Sequence, residues 1–301
     1  MQYFGEKVSD RVGIVLVIVS SIAFAFVPNS AKIALDDGTS LFLLVLSRYA
    51  IGAVFLMPIM FVTKQDIKMP LNKIPFIIIP SLSSFLLIAL TYHAVDYLDV
   101  GLVLLILYCF PLGVAAISHF RGKEKISGIK FLLMFVVLLG LGLMLFDGRE
   151  NISGYGLLIS FIGLICFVVF ISSSAELSKD LGSMTFNLYL SFFGMFFLIL
   201  IFFMPFGVEV LIPNSFSGYF AIVANGFFYI VSWVLFFEGA RIIGANRSSL
   251  LACTEPLFAA LLAIFLVNQM LSLIEWIGFF VVLSSIYLFE KKSMIASIIA
   301  G

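Results

Sequence analysis

Among the ionisable side chains of this 301-residue chain that fall inside, or at the ends of, long apolar stretches, five are candidates for a substrate or ion pathway: Lys32, Arg48, His93, Glu238 and Glu255. A charge at that depth in hydrocarbon costs several kcal/mol, so by default such a group faces the interior of a helix bundle and serves a substrate or ion pathway. Arg48 lies about seven residues into its stretch, which at 1.5 Å per residue is about 10 Å from the boundary. Lys32 lies within a turn of the end of the preceding stretch. Both cations suit an anionic substrate group or a carboxylate that holds an outer gate closed. Lys32 has a second reading, a long side chain snorkelling to the headgroups.

Glu255 is the acidic counterpart, about eight residues and about 12 Å into its stretch and directly before Pro256. Proline cannot donate to the carbonyl four residues back, here Ala252, and bends the helix. In a membrane protein such broken backbone is tolerated where it is buried in protein or lines a wet cavity. Pro111 frees Leu107 in the same way, so two kinked helices are expected. A carboxyl beside such a kink suits proton coupling or a cationic substrate group. The alternative is a structural carboxylate, paired with Arg48 or hydrogen-bonded to the kink. His93 and Glu238, 145 residues apart, occupy equivalent places at the far ends of their stretches and are candidates for gating or proton handling. Arg241, three residues beyond Glu238, offers that carboxylate a salt bridge instead. Tyr92, Tyr108, Tyr229 and Trp233 can wall a pocket and donate from hydroxyl or indole. With 16% aromatic residues, 35 of them Phe, most rings must pack or face lipid.

The elements that position these groups are membrane-spanning helices. Apolar residues make up 62% of the chain and charged ones 11%, with mean hydropathy +1.20, far from the roughly 45–50% apolar content of a soluble domain. A helical crossing takes about 20 apolar residues. Charged and Gly/Pro/Asn-rich breaks divide the chain into ten such spans, near 12–35, 41–62, 74–95, 100–118, 127–146, 154–175, 185–206, 217–238, 247–267 and 273–290. The stretches lack the alternation of a lipid-facing barrel strand. Arg11 and the run ending in Ala23-Phe24-Ala25 imitate a cleavable signal peptide, but span 6 would then lack a counterpart, so span 1 is expected to be retained.

The counterpart exists because the chain reads nearly the same way twice. Pro111, Glu124 and Ser127 recur 145 residues on as Pro256, Gln269 and Ser272, and Asp36, Gly38 and Ser47 recur 144 residues on as Asp180, Gly182 and Ser191. Residues 1–150 and 151–301 are therefore expected to form two five-helix repeats, and an odd span count inverts the second relative to the first, the architecture on which many carriers alternate access. With the N-terminus cytoplasmic, 14 of the 17 Lys and Arg residues fall in cytoplasmic loops, which places both termini inside by the positive-inside rule. The run Arg121, Lys123, Glu124, Lys125 is then a cytoplasmic anchor, and Arg149 and the sequon Asn151-Ile152-Ser153 lie outside. Cys109, Cys166 and Cys253 all fall within spans, without the spacing of a disulfide framework or a zinc motif.

Ser47-Arg48-Tyr49, Lys32, Pro111, Thr254-Glu255-Pro256-Leu257-Phe258-Ala259-Ala260, Ile277-Gly278 about 20 residues later, and Glu124 with Ser127 together resemble the EamA-type members of the drug/metabolite transporter superfamily, over essentially the whole chain. The resemblance implies a central cavity between the repeats that opens alternately to either side and accepts small metabolites, amino acids or amphiphilic compounds. Two departures stand out: Asn268-Gln269 replaces the family's Gly-Glu, and aromatic and small residues around Phe24-Ala25, followed by Pro28, replace its Trp-Gly in span 1. The expected function is secondary transport, export or exchange, of a small organic metabolite in a bacterial inner membrane. The lipid bilayer and a small-molecule substrate are the expected partners, protons the candidate coupling ion, and no cofactor, metal or nucleic acid is expected. An integral-membrane enzyme is the alternative and would need a reactive set; His93 and His119 are the two histidines, on different spans, and no His-Glu-x-x-His occurs. A non-catalytic scaffold or lipid-handling role is the third reading.

Overall fold

The computed structural model describes residues 2–122, 127–145, 152–204, 208–267 and 271–300. Twelve α-helices lie among them: α1 (Gln2–Asp36), α2 (Leu41–Val62), α3 (Ile74–Val95), α4 (Val100–Leu107), α5 (Phe110–Phe120), α6 (Gly128–Leu145), α7 (Gly154–Leu181), α8 (Ser183–Phe202), α9 (Phe216–Ile243), α10 (Ala245–Ala252), α11 (Glu255–Val267) and α12 (Leu273–Ala300). Lys123, Glu124, Lys125, Arg149, Asn151, Asn268 and Gln269 are outside the described residues.

Nine helical segments among the described residues are long and apolar enough to cross a membrane, and one of them, Val100–Phe120, is α4 and α5 in succession. The tenth expected span is α10 followed by α11, of 8 and 13 residues, each too short alone for a crossing of about 20 residues. The ten-helix, two-repeat plan is thus kept, with the fourth helix of each repeat broken. The outer surface carries apolar side chains such as Val54 (68% exposed) and Phe61 (79% exposed), a surface that hydrocarbon rather than water must solvate.

The repeat is visible in backbone detail. The helices α4 and α10 end on Leu107 and Ala252, the residues whose carbonyls Pro111 and Pro256 leave without an intrahelical donor. Gly38 and Gly182, paired in the sequence repeat, both adopt positive φ, 92° and 80°, a left-handed turn that glycine makes without steric cost.

The chain forms two compact units, each drawing on both halves of the sequence. The first comprises residues 1–85 and 173–243, the second residues 86–172 and 244–301. In the first, α1 packs along α9, and α2 packs against α8 and α9. Small residues let these helices approach: a Cβ on Gly194 of α8 would lie 2.7 Å from Cζ of Tyr49, and one on Gly226 of α9 would lie 2.7 Å from Cβ of Ile51.

Polar clasps tie off both ends of this unit. After α1, the Asp37 carbonyl accepts from the Asn214 backbone N–H (3.1 Å) and from its Nδ2 (2.7 Å). Asp37 Oδ2 accepts from Ser215 N (2.8 Å). Ser40 and Leu211 exchange two bonds, Ser40 N to the Leu211 carbonyl and Leu211 N to Ser40 Oγ, each 3.1 Å. At the other end Lys73 pairs with Asp180 at 2.5 Å, and the Tyr189 hydroxyl accepts from Met69 N at 3.2 Å.

In the second unit, α6 packs on α12, α5 on α10 and α4 on α6. The α6/α12 crossing is made by glycines: a Cβ on Gly140 would lie 3.0 Å from the Gly278 carbonyl oxygen. Leu87, Ala94, Leu98, Val103, Leu107 and Ile159 form an apolar core, and Arg247 of α10 holds Glu290 of α12 at 2.6 Å.

Candidate functional site

Polar chemistry at membrane depth gathers in two clusters, one in each unit. In the first unit α2 presents Arg48 (6% exposed) and Tyr49 (1% exposed) to the flank of α9. Arg48 Nε donates to Asn225 Oδ1 at 2.9 Å, and the guanidinium carbon lies 4.9 Å from the centroid of the Tyr229 ring, a cation–π contact strengthened where water is excluded. Asn225 is itself fixed from α1: its Nδ2 donates to the Val27 carbonyl (2.8 Å) and to Ser30 Oγ (3.2 Å). Among the described residues of the unit, no carboxylate lies within ion-pairing distance of Arg48, and no acceptor is met by its terminal nitrogens.

An aromatic wall surrounds this charge. Tyr229 stands edge-on to Tyr49 at 5.9 Å, to Trp233 at 6.2 Å and to Phe24 at 6.5 Å, and Phe24 meets Trp233 at 4.8 Å. The hydroxyls of Tyr49 and Tyr229 are buried and make no hydrogen bond of ordinary geometry; the Tyr49 hydroxyl faces the Tyr229 hydroxyl and Ser84 of α3.

Asn225 holds three helices together: α9, which bears it, α2 through Arg48 and α1 through Val27. Asn225→Leu removes the acceptor from a buried cation and two donors at once. It is expected to destabilise the protein by about 2–3 kcal/mol, the range of a hydrogen bond to a charged group. Unfolding midpoints measured in one detergent for both proteins check this.

The second cluster forms at the two helix breaks. The backbone tightens through three-residue bonds there, Cys109 N to the Ile106 carbonyl (3.1 Å) and Cys253 N to the Leu250 carbonyl (3.0 Å). The helix then restarts, with Pro111 and Pro256 in the first turn of α5 and α11, where the missing N–H is harmless. Glu255, half-buried at the head of α11, faces the phenol of Tyr108, which is the last residue before the other break. Cys253 lies beside it, and Cys109 beside Cys253.

The remaining predicted residues are placed more plainly. Lys32 is exposed on α1, as a snorkelling side chain would be. His93 is exposed, with Nδ1 3.5 Å from Asp96 Oδ2 and its ring edge-on to Tyr97. Tyr92 is half-buried on α3. Glu238 accepts from Ser183 Oγ at 2.9 Å and pairs with Arg241 at 3.5 Å, the local bridge its spacing offers. Asn225 and Ser84 escaped sequence reasoning, which weighed charges first, and Tyr49 entered it only as part of the motif Ser47-Arg48-Tyr49. An uncharged amide in the middle of an apolar span was the signal for Asn225.

A polytopic protein of two five-helix repeats, helical throughout its described membrane-spanning segments, with a cation and a carboxyl held at membrane depth, belongs to the class of membrane transport proteins. The sequence profile described as the EamA-like transporter family matches residues 11–146 and again residues 154–290, so this chain belongs to that family. A relative described as the uncharacterized inner membrane transporter YicL of Salmonella typhimurium is 34% identical over 101 residues. The match spans 30% of this chain and 34% of the relative's length. A solved chain described as "Crystal structure of protein" superimposes with TM-score 0.75 at 15% identity, covering 91% of this chain and 96% of its own, which shows the shared fold.

Proposed function

We propose that this transporter is a secondary carrier, exporting or exchanging a small organic metabolite by alternating access, with both chain ends on the cytoplasmic side of a bacterial inner membrane. The observation that carries the reading is the pair of repeat-equivalent helix breaks with Glu255 and Tyr108 facing each other across them. Discontinuous helices at membrane depth are tolerated where backbone lines a cavity, and carriers bind substrate and coupling ion at such breaks. The Lys and Arg distribution supports the orientation, and the relative's description as an inner membrane transporter supports the location.

Counterflow tests it. Vesicles holding the purified protein and preloaded with one unlabelled metabolite are expected to take up the labelled compound transiently above equilibrium. The panel covers amino acids, monocarboxylates and amphiphilic cations. Uptake that never exceeds equilibrium for any of them, in vesicles that hold folded protein, would overturn the carrier reading.

A further inference from the structure

We propose that the Arg48 cluster is the recognition site for the carboxylate of a monoanionic organic substrate whose apolar remainder lies against Phe24, Tyr229 and Trp233. This rests on the carrier reading and adds the chemical class of the substrate. Three features of the first unit point to it.

The guanidinium is held in position by a neutral partner. Asn225 takes one N–H at 2.9 Å and is fixed from α1, so Arg48 is oriented without a neutralising carboxylate and leaves the fork of its terminal nitrogens without a protein acceptor among the described residues of the unit. A planar carboxylate fits that fork with two parallel bonds. A purely structural arginine in a buried site is instead matched by a carboxylate or by several carbonyls.

Two further donors are in place. The Tyr49 and Tyr229 hydroxyls are buried, face each other, and make no hydrogen bond of ordinary geometry, with Tyr49 1% and Tyr229 5% exposed. Buried polar groups are nearly always hydrogen-bonded, and an orphan calls for an explanation such as an absent ligand. Both residues contact the arginine cluster, Tyr229 beneath the guanidinium and Tyr49 edge-on to Tyr229. Phenol O–H groups donate to a carboxylate, and Arg48 already occupies the face of the Tyr229 ring that a second cation would seek.

The charge balance sets the valence. One buried cation neutralises one negative charge; a phosphate dianion would leave a net charge in a low-dielectric wall of aromatic rings, which is costly. The same residues exclude ammonium compounds through repulsion from Arg48.

The test uses purified protein in phosphatidylcholine nanodiscs and a series of monocarboxylates from three to ten carbons, including phenylacetate. Phenylacetamide, phenethylamine and phenyl phosphate serve as matched probes. A ligand raises the unfolding temperature in step with ln(1 + [L]/Kd). At least one carboxylate is expected to do so, while its amide and the amine do not. Arg48→Lys is expected to weaken the effect and Arg48→Gln to abolish it.

Tyr49→Phe separates recognition from architecture. Deleting a buried hydroxyl that makes no hydrogen bond of ordinary geometry should leave the ligand-free protein about as stable as before, yet weaken carboxylate binding about tenfold, the loss of one charge-assisted bond. This variant and Arg48→Lys carry the test should Arg48→Gln fail to fold.

The proposal is overturned if no carboxylate binds, if the amide, amine or phosphate binds as well, or if binding survives in both Arg48→Lys and Tyr49→Phe undiminished. It is also overturned if phosphatidylglycerol in the nanodisc reproduces the stabilisation, which would mark a lipid headgroup site. Counterflow of other solutes that ignores carboxylates would leave the carrier reading standing and remove this one.

Discussion

Glu255→Gln protein, reconstituted in vesicles with an imposed pH gradient, is expected to lose gradient-driven accumulation of substrate while retaining counterflow. Glutamine keeps the size of the side chain and a hydrogen-bonding oxygen toward Tyr108, so the junction of α10 and α11 keeps its packing. It cannot take up and release a proton. If coupling runs through this carboxyl it vanishes in the variant, and the internal substrate concentration should settle at the external one. Exchange of one substrate molecule for another needs no proton and should continue. If accumulation persists in Glu255→Gln, proton coupling runs elsewhere. If counterflow disappears as well, Glu255 contacts the substrate or the backbone break depends on its charge.

The largest effect on folding is expected from Gly101→Val. Gly101 opens α4, and Asp99 caps the helix by accepting from Gly101 N at 2.7 Å. A Cβ there would overlap the carbonyl oxygen of Leu145, at the end of α6, and would lie 2.8 Å from Asp99 Oδ1. Neither neighbour is the loose end of a flexible side chain: one is backbone and the other is the cap itself. The substitution must push α4 off α6 or undo the cap, and a cost above about 4 kcal/mol is expected, in the range reserved for disrupted packing and buried polar groups. Gly154→Ala is the control, since nothing lies within 4 Å of the added carbon, and its effect should stay within about 0.5 kcal/mol. Recovery of monodisperse protein and the unfolding midpoint of each variant decide the matter.

Depth was legible in the sequence and azimuth was not. The spacing of charges gave the spans, the duplicated prolines located both helix breaks, and the paired glycines Gly38 and Gly182 marked repeat positions that both turn out to have positive φ. These features are local: proline removes a donor wherever it stands, and glycine is needed wherever φ is positive. Which side of a span faces protein is another question, because helices that are apolar all round show no polar stripe to orient them. Arg48 and Lys32 read alike as cations near one end of the first repeat, yet one is buried beneath α9 and the other is exposed. His93 and Glu238 share a repeat position, but each has taken a nearby partner, Asp96 and Arg241. Asn225 organises the Arg48 cluster through contacts 177 and 198 residues away in sequence, a separation no local pattern reports.

The reciprocal bonding between the turn at 37–40 and the segment at 211–215 bears on engineering. Each segment supplies what the other lacks: Asp37 offers oxygens to Asn214 and Ser215, and Ser40 and Leu211 each donate to the other. A chimera that imports one of these segments from a homologue inherits half of a lock, so grafts into this fold should transplant the two as a matched pair.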